Sequence, residues 1–171
     1  MQNMLNHSDA AAPLPEESNN LRLDAVDRVI IRELQRDARM PNTAIAEAAG
    51  IAPSTCLARI RSLKERGIIR GFHAEIDPAA IGRGLQALIS VRLHSHARPQ
   101  LNTFSSYLAS LDGVEGVFFV SGDRDFLVHV AVRDSEALRH LVADTLSVRP
   151  EVAGTSTSVI FDYVSSHTQP H

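Results

Sequence analysis

The chain has 171 residues, 44% hydrophobic and 22% charged, an ordinary globular composition that excludes wholesale disorder. No apolar run approaches the ~18 residues that span a bilayer, and Met1 to Asn20 holds neither a basic residue nor an apolar core, so neither a membrane span nor a signal peptide is expected. The net charge of −3 at face value speaks against nucleic acid, but it is composite: residues 1–20 carry −3, residues 21–73 set ten Lys/Arg against six Asp/Glu for +4, and residues 74–171 set seven Arg against eleven Asp/Glu for −4.

Residues 1–20 read as a disordered tail, with Pro13, Pro15 and Ser18-Asn19-Asn20 and few large apolar residues. A first helix is expected over Leu23 to Asp37, because Val26, Ile30, Ile31 and Leu34 recur at helical spacing and Asp24 or Asp27 suits its N-terminus. A second, short helix runs over Asn42 to Ala49 and stops at Gly50. A third runs from Pro53 to about Arg66 and stops at Gly67, with Leu57, Ile60 and Leu63 as its apolar stripe. Ile68 to Ile76 alternates as a strand or hairpin, and 77–84 (Asp-Pro-Ala-Ala-Ile-Gly-Arg-Gly) forms a linker.

The second half alternates element types. Strands are expected at Leu85–Leu93, Val114–Ser121, Phe126–Val132 and Thr155–Val164, and helices at Arg98–Leu111 and Ser135–Leu146, the latter capped by Asp134. The order β-α-β-β-α-β is that of a ferredoxin-like domain over residues 85–164, followed by a tail at 165–171. Two helices cover one face of such a sheet, and a second subunit is the obvious cover for the other. Two units this small also lean on a partner to complete their cores.

Two helices, a glycine-containing turn and a third helix over residues 21–76 make a helix-turn-helix. With Leu57, Ile60 and Leu63 inward, Ser54, Thr55, Ala58, Arg59 and Ser62 project outward. Short N-terminal residues permit close approach to a major groove, and Arg can fork onto guanine or phosphate. Arg61, Lys64, Arg66 and Arg70 are candidates for holding phosphates. The +4 segment agrees with double-stranded DNA as a partner, and a three-helix bundle with a solvated basic face is the alternative. Gly122-Asp123-Arg124-Asp125 lies between two strands. Its exposed amides could take a carboxylate, while Asp123 or Asp125 with Thr155 or Thr157 could take an ammonium; a plain hairpin turn would have the same composition.

Other motifs carry less. Gly82-x-Gly84-x-x-Ala87 resembles a dinucleotide fingerprint but precedes a strand instead of a helix. His94-x-His96 lacks further ligands at metal spacing, so no metal or cofactor is expected. The one cysteine, Cys56, excludes an internal disulfide, reads as a packed small hydrophobe and fits a reducing cytoplasm. No catalytic motif occurs, so no enzyme is expected.

The pattern Leu23-Asp24-x-x-Asp27-Arg28-x-Ile30, Leu34-Gln35-x-Asp37-x-Arg39, Pro53-Ser54-Thr55-Cys56-Leu57-x-Arg59-Ile60-Arg61-x-Leu63-x-x-x-Gly67-Ile68-Ile69 and Ala74-x-x-Asp77-Pro78 resembles the Lrp/AsnC (feast/famine) transcriptional regulators. So do Val120-Ser121-Gly122-Asp123-x-Asp125-Phe126-Leu127-Val128 and Thr155-x-Thr157, and the likeness spans residues 21–164. Pro41 and Ala52 depart from it, since members usually place Ser at those caps. The resemblance implies an α+β chain: a winged helix-turn-helix with a short β wing, then a ferredoxin-like RAM-type domain. It implies sequence-specific DNA binding through Ser54, Thr55, Arg59, Arg61, Ser62 and Arg70. It also implies an amino-acid effector lodged between subunits at Gly122, Asp123, Asp125, Thr155 and Thr157. Dimers, often assembled into octamers, and a cytoplasmic, nucleoid-associated location follow as expectations. The other readings are an architectural DNA-binding protein without effector and a small-molecule-binding ferredoxin-like enzyme.

Overall fold

The computed structural model describes residues 22–162; the expected tails and the end of the last strand at Tyr163 and Val164 lie outside them. The chain divides into two units, residues 1–74 and 75–171.

The first unit is three helices: α1 (Ala25–Arg36), α2 (Asn42–Ala49) and α3 (Pro53–Glu65). Helix α1 starts on a reciprocal capping box. The Asp24 carboxylate accepts the Asp27 N–H at 2.8 Å, and the Asp27 carboxylate faces the Asp24 N–H. Helix α3 starts on Pro53, whose missing N–H costs nothing there, and ends in a Schellman turn. Gly67 takes φ 70°, its N–H bonds the Lys64 carbonyl, and the Ile68 N–H reaches back to the Leu63 carbonyl. Ile30, Ile45, Ala46, Cys56 and Leu63 form the buried core, with Ile60, Ile68 and Ile69 packed against it.

Two expectations change here. The inward residue of α3 is Cys56, not Leu57: Cys56, Ile60 and Leu63 follow one helical stripe, and Leu57 is 53% exposed. The short β wing expected over 68–76 is absent, since residues 66–78 form neither helix nor strand. A strand exists only as part of a ladder, and no described segment of this unit offers a second arm. Ile68 and Ile69 are instead spent on the helical core.

The second unit runs β1 (Leu85–Leu93), α4 (Leu101–Ala109), β2 (Val114–Phe119), β3 (Phe126–Val132), α5 (Ser135–Arg139) and β4 (Val152–Ile160). The sheet order is β2-β3-β1-β4, antiparallel throughout, the ferredoxin-like arrangement. Alternation along β1 and β3 sends Ala87, Ile89, Val91, Leu93, Phe126, Val128, Val130 and Val132 to one face, under Phe104, Leu108, Leu138, Leu141 and Leu146 from the helical segments. Asp134 caps α5 through the Ala137 N–H. Past α5 the helix widens into π turns over His140–Leu146, which bring Leu141 and Leu146, five residues apart, to the same core.

The opposite face carries Gln86, Leu88 and Ser90 of β1 beside His129 and Leu127 of β3, with Phe118 of β2 exposed next to Leu127. At one corner of it, residues 75–78 border a cavity of about 720 Å³ lined by Gln86, His129, Ile160 and Asp162 among others. Gln86 Oε1 and His129 Nε2 lie 2.9 Å apart there. Gly82 and Gly84 lead directly into β1, so no helix follows them as a dinucleotide site would require.

Candidate functional sites

The outward face of α3 presents Ser54, Thr55, Ala58 and Arg61, all exposed, with Ser62 half-buried at its side. Leu57 joins this face as apolar surface, although its spacing from Ile60 and Leu63 would also suit a core position. Neither α2 nor α3 has a side-chain cap, since Pro41 and Ala52 stand at the cap positions; in α2 the Ala44 N–H turns back to the Pro41 carbonyl at 3.0 Å, whereas the Ser54 and Thr55 amides of α3 meet no side-chain acceptor among the described residues. Asn42 Nδ2 donates to the Pro53 carbonyl at 2.8 Å and ties the start of α2 to the start of α3. Arg28, Arg39, Arg61 and Arg70 are exposed and enter no ion pair among the described residues. Lys64 lies 5.7 Å over the Phe72 ring.

Arg59 and Arg66 are placed differently. Both turn toward the N-terminus of α1. The Arg59 guanidinium pairs with the Asp24 carboxylate and lies 3.1 Å from Asp27 Oδ1, and its side chain is 38% exposed. Arg66 sits 3.9 Å from Asp27 Oδ2 and donates to the Arg22 carbonyl at 3.0 Å. The Asp27 N–H, followed by Arg59, holds the Asp24 carboxyl below its ordinary range, and the Asp24 carboxylate pushes the Arg59 guanidinium up.

In the second unit, Gly122 takes φ 123° in the β2–β3 turn, a conformation that suits glycine. The amides of Gly122 and Asp123 donate to no acceptor among the described residues, and the Asp123 side chain is 89% exposed beside Arg124. Asp125 has a different environment. It is 6% exposed, its carboxylate accepts the Leu93 N–H at 2.8 Å, and its own N–H donates to the Val91 carbonyl. Thr155 and Thr157 lie on β4, so β1 stands between them and the turn. Thr155 is level with Val91 and Phe126, at the end of the sheet where the turn begins, and its hydroxyl lies 3.4 Å from Ser147 Oγ.

Among the described residues no group of three or more His, Cys, Asp or Glu is arranged to hold a metal, and no helix is long and apolar enough to cross a membrane. His94 and His96 stack on each other with ring centroids 5.4 Å apart. Cys56 is fully buried, and burial pushes its thiol up, away from the reactive thiolate.

Residues 23–64 match the AsnC-type helix-turn-helix domain, and residues 86–170 match the Lrp/AsnC ligand binding domain. The HTH-type transcriptional regulator AldR of Mycolicibacterium smegmatis is 49% identical over 88% of this chain and 88% of its own. AldR of Mycobacterium tuberculosis is 45% identical over 95% of this chain and 90% of its own. A transcriptional regulator of Neisseria meningitidis, crystallised in complex with L-Met, superposes with a TM-score of 0.76 at 29% identity, covering 84% of this chain and 93% of that one. Such relatives are transcriptional regulators, and their likeness runs through both units. The chain belongs to the Lrp/AsnC family of DNA-binding transcriptional regulators.

Proposed function

We propose that the outward face of α3 is the surface that reads DNA, with Ser54, Thr55 and Ser62 facing the groove and Arg61 and Arg70 holding phosphate. The observation that carries this reading is that Ser54, Thr55, Ala58 and Arg61 stand exposed together beside the uncapped first turn. Small hydroxyl side chains let the helix approach base edges, Leu57 adds apolar surface suited to a thymine methyl, and the open amides suit phosphate. Arg61→Ala should weaken binding to a duplex selected from a random pool and lower the slope of log K against log salt by about one. An unchanged slope and affinity would reject the assignment.

The regulator is modulated, in this proposal, by an amino acid at the β2–β3 turn. The free amides of Gly122 and Asp123 suit a carboxylate, and the exposed Asp123 suits an ammonium. Asp125 and Thr155 shape the same end of the sheet, and Thr157 lies further along β4. A relative crystallised with L-Met supports a ligand of this class. Self-association through the uncovered sheet face, to dimers and on to octamers, would set this turn between subunits, and the cytoplasm is the compartment the relatives' role favours. Titration calorimetry against the twenty amino acids, with Asp123→Ala as control, is the test. Binding lost in Asp123→Ala with DNA binding intact is expected. Binding of none of the twenty would leave the architectural reading without effector in its place.

A further inference from the structure

Arg59 is the side chain on which the reading of α3 and the packing of the three helices meet. Its guanidinium is engaged by both carboxylates of the α1 capping box, and Arg66, two turns on along α3, is drawn to the same Asp27. Asp27 is 4% exposed, so this is a largely desolvated carboxylate serving two helices at once. One of its oxygens faces Arg59, the other Arg66 and the Asp24 N–H. The apolar core beneath is small, with five buried side chains among the described residues: Ile30, Ile45, Ala46, Cys56 and Leu63. Apolar burial is non-directional and resists rotation of a helix about its axis only weakly; a fork of charged hydrogen bonds fixes both rotation and height.

We propose that Arg59 is a positioning residue: with Arg66 it clamps α3 to the capping box Asp24–Asp27 and so sets which side chains of α3 meet the base edges, without itself contacting DNA. This inference rests on α3 being the reading helix, the part of the proposed function tested separately by Arg61→Ala. The clamp also joins two local tasks. The carboxylates that complete the first turn of α1 are the ones that hold α3, so α1 and the reading helix form one rigid piece.

The test uses the full chain and a duplex selected from a random pool by the unmodified protein. Asp24→Asn keeps an efficient N-cap while removing the charge that Arg59 meets, so it separates the clamp from the cap. Arg59→Gln removes the other partner. Positioning predicts that both variants lose roughly tenfold in the ratio of specific to non-specific affinity, about the value of one misread base pair. It predicts that the double variant loses no more than Arg59→Gln alone, and that the salt slope is unchanged in all three, because no phosphate contact is given up. Direct contact with phosphate predicts the opposite: Arg59→Gln lowers the salt slope by about one, and Asp24→Asn, which removes one of the two carboxylates holding the guanidinium, holds or raises affinity. Either of those results overturns the clamp. Circular dichroism and melting temperature for each variant keep loss of fold distinct from loss of positioning. If Arg59→Gln fails to fold, Asp24→Asn and Arg59→Lys carry the comparison. Loss of slope in Arg61→Ala with no effect of the clamp variants would leave the reading helix standing and refute the clamp alone.

Discussion

Asp123 and Asp125 sit two residues apart in one turn, yet the structure assigns them opposite costs of removal. In Asp125→Ala the Leu93 N–H, which the Asp125 carboxylate accepts at 2.8 Å, is left at a residue only 4% exposed. A buried donor without its acceptor costs about 1–3 kcal/mol, toward the upper end when the lost partner is charged. For a unit of roughly a hundred residues each kcal/mol moves the melting temperature by about 4–8 °C. Asp125→Ala should therefore melt several degrees below the parent chain, and Asp125→Asn, which keeps a carbonyl oxygen at the same place, should fall between them. Asp123→Ala removes a side chain that is 89% exposed and should change stability by less than about 0.5 kcal/mol. Scanning calorimetry at one fixed protein concentration measures all three, since association shifts apparent stability. If Asp125→Ala melts with the parent chain, the carboxylate does not hold the β1 end and its burial has been misassigned a structural role.

Three further outcomes follow from particular contacts. The Asp24 carboxyl is held below its ordinary value of 3.8, first by the Asp27 N–H and then by Arg59. A depressed folded value means its contribution is full above the unfolded value and is lost as pH falls through the folded one. Protection of the Arg28 amide against exchange should then stay flat down to about pH 4 and fall below it, and Asp24→Asn should abolish that fall; an identical profile in the variant would refute the coupling. Cys56, fully buried, should react with iodoacetamide in the native chain far more slowly than in urea, and equal rates would place the thiol outside the core. Ala52→Ser supplies the missing side-chain cap on α3 and should raise stability by about 0.5–1 kcal/mol in thermal melts, with no gain meaning that the first-turn amides are satisfied otherwise.

Much of the architecture is legible in the residues themselves because it is governed by local chemistry. Gly50 and Gly67 stop α2 and α3 where the sequence places them, Pro53 opens α3, Asp24 and Asp134 cap their helices, and period-two alternation marks β1 and β3 to the residue. Each of these signals acts within one turn of helix or along one strand, so a linear reading contains all of its terms. The charge division points to the helical segment as the DNA-binding part in the same way, because proximity in sequence and in space coincide there.

Which side of each element meets another is settled only when the elements pack together. A rotation of one position, about 100° on a helix, exchanges Leu57 for Cys56 in the core, and the stripe alone leaves both acceptable until α1 and α2 are packed against it. Arg59 is legible as an outward arginine, but its partners lie 32 and 35 residues earlier, and only folding brings them within an ion pair. Residues 68–76 alternate like a strand and yet form none, because a ladder needs a second arm. Asp125 and Asp123 look equivalent in a turn until β1 arrives beside one of them. Pairing across the chain is a sum over partners that sequence order does not specify, and it is this sum that separates the side chains holding the protein together from those left exposed at its surface.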